Sequence, residues 1–463
     1  MARLIEIVQT LSGKGSVAMT DVTRDPAMWQ PICALLIFAA AYVLFVIEKW
    51  NRSLVALGGA LLALALGLFP LKAGFASYFS GQLLLLLVSM YVISVCLHQT
   101  GLLAAAASAI VRKTRARPMA IALWLSLLAA LGAALTDALV VIAALTPLSL
   151  ETAKRLRLSP MPLLVGQIMS ACIGGGATLL GSGHSRIIGA AASGSFLHYA
   201  AALAPLMALL LLIVLLAVRL LYGRKLLASE ANKRELLALQ PHDQLAERSV
   251  TLPSLLIGLL VLAALLLSGW LGWQAAYIAA AGAAALAAVQ YREWLAPLRS
   301  RDYRTALRTV SDSGLIFYFG LLIMAGALGW TGVGRFLADR ALELSQGSVP
   351  LLSLLTLWLS TLGGAVLEHV PLAAAAATVV QDMGRQLQQA GIGSADPLWW
   401  ALSAGISLGG GATLLSSYAG MAAAGMASAQ SAGFRHVDYV KAALPLSLLL
   451  LLVASLYFKL FLL

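Results

Sequence analysis

Charged residues are scarce in this chain of 463 residues. Asp, Glu, Lys and Arg make up 11% of it, against about 25% in an average soluble domain, whereas 61% of the residues are hydrophobic. A water-soluble globule of this composition would not have enough polar surface to cover its core. Intrinsic disorder requires low hydrophobicity. Both classes of protein are therefore excluded.

Cysteine and the motifs of catalysis are equally scarce. Cys33, Cys96 and Cys172 lie far apart inside apolar segments, so their spacing indicates neither a disulfide framework nor a metal site, and we interpret them as small buried residues. No nucleotide, metal or nucleophile motif occurs in the loops, which are too short for a soluble catalytic domain. The expectation is a protein that is not an enzyme and needs no cofactor.

Long apolar runs of about 20 residues recur throughout the chain, and that length crosses a bilayer as a helix. They predict an all-α polytopic membrane protein, in contact with lipid in the bacterial inner membrane. The net charge of +12 lies mostly in short gaps between the runs, as is typical of cytoplasmic loops that face anionic lipid. Nucleic acid is therefore not an expected partner.

The predicted organisation is a tail followed by two hydrophobic halves on either side of a polar, cytoplasmic linker. The tail is residues 1–28, the two halves are residues 29–222 and 252–463, and the linker is residues 223–251. Each half contains one apolar stretch with an acid in its middle, which predicts a re-entrant hairpin, and one glycine-rich stretch, which predicts a broken helix. The hairpins are predicted at 104–149 and 334–380, the broken helices at 160–190 and 397–428.

The two halves resemble each other. The segment Gly174 to Leu180 recurs letter for letter at Gly409 to Leu415. Two dipeptides also recur, at a second, shared spacing: Thr100-Gly101 matches Thr331-Gly332, and Leu131-Gly132 matches Leu362-Gly363. In this second register, Asp137 is aligned with Glu368. Basic residues flank the two hairpins on opposite sides, which predicts inverted repeats with about ten transmembrane helices and two hairpins, the arrangement of secondary transporters.

Glycine triplets free the backbone of a membrane helix, and unwound backbone survives at membrane depth only where it is buried or lines a wet cavity. Its N–H and C=O groups can then bind ions or substrate, helped by the positive end of the following half-helix. The alternative is that the glycines only permit close packing, and that His184 lies at a cavity edge. The predicted binding residues are Gly174, Gly175, Gly176, Thr178, Ser182, His184, Ser185, Gly409, Gly410, Gly411, Thr413, Ser416 and Ser417.

Two acids lie within the apolar hairpins. Asp137 follows Thr136, a further candidate binding residue, and Glu368 precedes His369. An ionised carboxylate at membrane depth costs at least ~2.5–3.5 kcal/mol, so it requires a partner, water or a proton. An acid that binds a proton in one conformation and releases it in another couples proton movement to substrate movement. We therefore predict proton coupling at Asp137, Glu368 and His369; the alternatives are an acid that caps backbone N–H groups and a structural Glu-His pair.

Several segments resemble the ion transporter superfamily, in its branch with arsenite permeases, type-D sodium/proton antiporters, the melanosomal P protein and divalent anion/sodium symporters. The chain from about residue 30 onward is similar, although each motif alone is only moderately specific. The similar segments are Glu48 to Gly59, the Gly-Gly-x-x-Thr-x-x-Gly pattern within Gly174 to Gly189, residues 362–373 and 405–417, and Phe434 to Tyr439.

The resemblance implies an elevator-type transporter, often a homodimer, whose scaffold domain forms the dimer interface and whose transport domain holds the hairpins and broken helices. Substrate would lie between the hairpin tips, at Thr136 to Ala138 and Glu368 to Val370. The tips read Leu-Thr-Asp and Leu-Glu-His where sodium/dicarboxylate members carry Ser-Asn-Thr or a similar triplet. We therefore expect a proton-coupled antiporter or efflux permease for a cation or a weak-acid inorganic species. The alternatives are a sodium-coupled symporter of a di- or tricarboxylate or other divalent anion, and a channel-like permease.

Overall fold

The computed structural model describes residues 29–47, 52–70, 81–179, 181–192, 196–224, 226–238, 248–271, 273–290, 314–392, 394–430 and 433–463. Every regular element within these ranges is a helix. The predicted tail 1–28, residues 291–313 and part of the predicted linker lie outside them.

The first half contributes nine of the described helices. They are α1 (Trp29–Ile47), α2 (Arg52–Ala65), α3 (Gly81–Gln99), α4 (Leu102–Lys113), α5 (Pro118–Leu135), α6 (Ala138–Arg155), α7 (Met161–Ala177), α8 (Gly183–Ala191) and α9 (Phe196–Tyr222). The linker holds α10 (Glu230–Ala238). It lies against the end of α6, where the Asn232 side chain donates to the Leu156 carbonyl at 3.3 Å.

The second half repeats this order of helices. Its described elements are α11 (Arg248–Leu271), α12 (Ala275–Val289), α13 (Gly314–Trp330), α14 (Val333–Ser345), α15 (Val349–Val366), α16 (His369–Gln389), α17 (Asp396–Gly410), α18 (Tyr418–Ala429) and α19 (His436–Tyr457). One π-helical turn, Phe458–Leu462, ends the chain.

Helix contacts recur in matched pairs between the halves. Helix α5 packs on α7 as α15 packs on α17, and α4 packs on α6 as α14 packs on α16. Other pairs exchange partners between the halves: α3 contacts α12 while α13 contacts α2, and α6 contacts α18 while α8 contacts α16. Helices α7 and α17 contact each other at the centre. The two halves are therefore interlocked rather than placed side by side.

Glycine permits the closest of these contacts. A Cβ at Gly174 would overlap the carbonyl of Ala130, and a Cβ at Gly409 would overlap the carbonyl of Thr361, so α7 and α17 approach the backbones of α5 and α15 directly. Both glycines belong to the repeated motif, and the two obstructing carbonyls are matched in the second register. The motif therefore has a packing role in both halves.

Four described helices have the length and composition to cross a membrane, or up to six spans if each of two bent helix pairs is counted as one. They are Pro118–Leu135, Phe196–Tyr222, Val349–Val366 and His436–Leu462; the bent pairs are Val88–Leu97 with Leu102–Lys113 and Phe319–Trp330 with Val333–Ser345. The expected number of ten spans is not confirmed. Each predicted hairpin region contains three helices: α4 to α6 in the first, α14 to α16 in the second.

The packing predicts a different outcome for two glycine-to-alanine substitutions. Gly409→Ala places a methyl group against backbone atoms of Thr361 and Gly364, and overpacking of this kind costs about 1–3 kcal/mol. Gly425→Ala is the control, because nothing lies within 4 Å of its added Cβ and alanine favours a helix by about 1 kcal/mol. Thermal unfolding in detergent should show a lower Tm for Gly409→Ala only. Equal Tm values would contradict the packing role.

Candidate functional site

Thr136 and Asp137 form the turn between α5 and α6, within the first predicted hairpin. Asp137 caps α6, because its Oδ1 accepts from the Leu139 N–H at 3.0 Å. Its Oδ2 forms an ion pair with Arg186 of α8, whose side chain is only 2% exposed. The Arg186 Nε–H also donates to the Ser182 carbonyl at 3.3 Å. The acid of this turn therefore has a cap role and a buried counter-charge.

Leu367 and Glu368 form the turn between α15 and α16, at the position matched in the second register. Glu368 caps α16, with Oε2 accepting from the Val370 N–H at 2.9 Å. Its own backbone N–H donates to the hydroxyl of Tyr42 at 3.2 Å, and that hydroxyl donates to the Val366 carbonyl at 3.2 Å. Glu368 is buried. The two acids, which are aligned in the second register, therefore both occupy the N-cap position of the helix that follows the turn.

Two buried histidines meet between the halves. The rings of His184 in α8 and His369 in α16 have centroids 5.1 Å apart and planes at 71°. His184 lies 2.8 Å from the Ser407 hydroxyl through Nε2 and 3.0 Å from the Ser182 hydroxyl through Nδ1. Among the described residues, Nε2 of His369 has no hydrogen-bond partner. The ring of His369 lies over Gly410, where a Cβ would collide with it.

Hydroxyl groups satisfy the carbonyls that the helix breaks release. Ser182 and Ser185 donate to the Gly175 carbonyl at 3.0 and 2.9 Å, and Ser416 donates to the Gly410 carbonyl at 3.0 Å. Both acceptors are the second glycine of their triplet. In this conformation these two carbonyls face protein hydroxyls.

Threonine joins each broken helix to the hairpin of its own half. The Thr178 hydroxyl donates to the Ala134 carbonyl at 2.5 Å, and the Thr413 hydroxyl donates to the Ala365 carbonyl at 2.9 Å. The hydroxyls of Thr136 and Ser417 form hydrogen bonds with residues near them in the chain. Thr136 donates to the Gly132 carbonyl at 2.9 Å, and Ser417 caps α18 by accepting from the Gly420 N–H at 3.1 Å.

Two tyrosines that the sequence analysis did not single out complete the pattern. The Tyr199 hydroxyl donates to the Gly176 carbonyl at 3.5 Å and also contacts Ser403, and the Tyr439 hydroxyl donates to the Gly411 carbonyl at 2.7 Å. Each is the fourth residue of the helix that follows the broken helix, α9 or α19. Neither register of the sequence repeat aligns the two tyrosines, so their shared position shows only in the structure.

The structure therefore brings together residues from both tips and both breaks. Asp137 joins the first break through Arg186, and His369 joins it through His184. Within the described part of the chain, no group of three or more His, Cys, Asp or Glu is placed to hold a metal ion.

Apolar helices interrupted at matched positions around a buried polar centre define a membrane transporter. Residues 42–405 match the profile of the CitMHS family, described as "Citrate transporter". The chain belongs to this family, which confirms the resemblance to the ion transporter superfamily. It is an integral membrane protein.

Curated relatives extend over most of the chain. An uncharacterized transporter of Mycobacterium tuberculosis is 28% identical over 430 residues, which are 92% of this chain and 97% of that protein. Magnetosome protein MamN of Magnetospirillum gryphiswaldense is 25% identical over 91% of this chain and 97% of its own length. The human P protein is 23% identical over 91% of this chain and 59% of its own length.

One solved structure shares the fold. The crystal structure of the Alcanivorax borkumensis YdaH transporter has a TM-score of 0.57 to this chain at 19% sequence identity. The match covers 93% of this chain and 96% of that one. The similarity therefore extends over both halves.

The tyrosine contacts predict a specific loss of stability. Tyr439→Phe removes the donor to the Gly411 carbonyl, and a buried group left without a partner costs about 1–3 kcal/mol. Tyr457→Phe is the control, in the same helix but half-buried. Thermal unfolding in detergent should give a lower Tm for Tyr439→Phe than for Tyr457→Phe, and the reverse order would refute the role of the hydroxyl.

Proposed function

We propose that this membrane transporter is a proton-coupled secondary active transporter of a small weak-acid anion. Carboxylates such as citrate, which the family description names, belong to this chemical class. The observation that supports it most directly is the pair of buried histidines at the first turns of α8 and α16.

Positive groups converge on these histidines. The N-terminal ends of α8 and α16 carry partial positive charge, whereas the guanidinium of Arg186, two residues beyond His184, is paired with Asp137. Helix N-termini and protonated imidazoles are groups with which proteins bind oxyanions. The buried Nε2 of His369, which has no partner among the described residues, supplies a site at which one substrate oxygen can bind.

The same arrangement provides a reason for proton coupling. Without an anion, a proton on either buried imidazole would be disfavoured by burial, by the adjacent ring and by the positive end of its helix. An anion between the two rings reverses this balance, and a protonated histidine then donates to it. Proton and anion therefore bind together, which favours movement in the same direction over the antiport suggested by sequence.

The ion pair of Asp137 with Arg186 favours an anion over a cation as substrate. Two free carboxylates at the tips would suit a cation, but Arg186 neutralises the charge of one of them. Sodium-coupled symport of a di- or tricarboxylate is the second candidate; the family description names citrate, a tricarboxylate.

We further propose two inverted repeats and an elevator-type movement, by a homodimer in the bacterial inner membrane. Helices α5 to α8 and α15 to α18 contact one another across the halves, which favours their movement as one body. Helix α2 packs on α13, and α3 on α12, more extensively than α13 and α3 pack on α16 and α8 of that body, so these four helices would belong to the scaffold.

Proteoliposomes test the coupling. An inward gradient of citrate, silicate, arsenite or sulfate, in sodium or choline buffer, should drive proton uptake by the wild-type protein. His369→Gln should lower this uptake by about tenfold or more, because a charge-assisted hydrogen bond of about 1.5–3 kcal/mol is lost. His198→Gln is the control, since the side chain of His198 is 56% exposed. Anion uptake with unchanged proton flux in His369→Gln would refute proton coupling at this pair.

Single-cysteine labelling tests the inversion. Leu135 and Val366 are matched, exposed residues at the ends of α5 and α15. In a background that lacks the three native cysteines, a membrane-impermeant thiol reagent should reach Leu135→Cys and Val366→Cys from opposite sides. Labelling of both residues from one side only would exclude inverted hairpins.

A further inference from the structure

Arg186 is among the largest fully buried side chains of the described chain. It lies in the first turn of α8, directly after the first helix break. Its guanidinium has two oxygen partners on separate segments, the Asp137 carboxylate at the hairpin turn and the Ser182 carbonyl in the break. A guanidinium stays charged at any physiological pH, so this positive charge is a permanent part of the site.

The second half repeats the backbone of this site but not its cation. In the register of the glycine motif, Arg186 corresponds to Met421 and Ser182 to Ser417. In the register of the hairpins, Asp137 corresponds to Glu368. An acid therefore caps the hairpin arm in both halves, whereas a basic residue follows the break in the first half alone.

The partners of the guanidinium are themselves ligands for a small cation. Carboxylate and backbone carbonyl oxygens, the latter from an unwound helix break, are the groups that coordinate Na⁺ in transporters with broken helices. We propose that the Arg186 guanidinium is a built-in cation that occupies a monovalent-cation site at the first hairpin turn, so that no mobile metal cation binds at this turn.

The consequence for transport is that the first turn takes up no mobile metal cation. A pair of equivalent tips would bind one cation each, and Arg186 fills one of these places permanently. This consequence depends on the proposed function, because it assumes a coupled transporter. The cation site itself does not, and its test requires only folded protein.

The test is a thermal-shift measurement on the full-length protein in NaCl, LiCl and choline chloride. Arg186→Met copies the second half and leaves the Asp137 and Ser182 oxygens without the guanidinium. We expect its Tm to rise by about 3 °C or more in NaCl or LiCl relative to choline chloride, beyond any rise in the wild-type protein. Asp137→Asn/Arg186→Met is the matched control and should lose this extra shift, because the carboxylate is absent.

Several results would overturn the proposal. One is an Arg186→Met protein that is folded and shows no cation-dependent shift beyond the wild type; another is an equal shift in the double variant. Arg186→Gln serves as a second variant of similar shape. If both single variants fold only in NaCl or LiCl, the cation has replaced the guanidinium and the proposal stands; if neither folds in any of the three salts, the site accepts no such cation and the proposal fails.

Transport separates this inference from the proposed function. Proteoliposomes with Arg186→Met should require Na⁺ or Li⁺ for anion uptake, whereas the wild type should not require it at this site. Wild-type protein without proton-coupled uptake would refute the proposed function alone, since the thermal shift of Arg186→Met would still report the cation site.

Discussion

The structure depends on one constraint: in lipid, a helix that breaks must find partners for the backbone groups that the break exposes. Here the partners are hydroxyl groups. Serine hydroxyls donate to the carbonyls of Gly175 and Gly410, and tyrosine hydroxyls donate to the carbonyls of Gly176 and Gly411. Because these bonds come from the same broken helix and from the next helix along the chain, each break is tied to its surroundings and both breaks lie at the centre of the fold.

The repeated parts and the unrepeated parts have different tasks. Matched residues build the frame: Thr178 and Thr413 join break to hairpin, and Asp137 and Glu368 cap the hairpin arms. The basic residues of the site are not matched. In the alignment of the two halves, Arg186 corresponds to Met421, His184 to Ala419 and His369 to Ala138. A duplicated frame with unlike side chains gives one asymmetric site rather than two equal ones.

Much of this frame could be predicted from the sequence, because it follows from local rules. The second register placed Asp137 and Glu368 at equivalent turns, and the glycine triplets marked the breaks between α7 and α8 and between α17 and α18.

The partners of the frame could not be predicted, since they come from distant segments. Arg186 lies 49 residues from Asp137 in the chain, and Ser407 lies 223 residues from His184. Hydropathy also does not show where a run divides: the region 104–149 holds parts of three helices, and the expected number of spans is not confirmed.

The packing also bears on how such a protein can move. The backbones of α5 and α7, and of α15 and α17, are in contact at Gly174 and Gly409, so neither pair can slide without collision of carbonyl groups. The histidine pair and the contacts of α6 with α18 join the two hairpins into the same body. A pore opening within this body would separate all of these contacts at once, whereas movement of the whole body against α2, α3, α12 and α13 would preserve them. The packing therefore favours alternating access by a rigid unit over a channel.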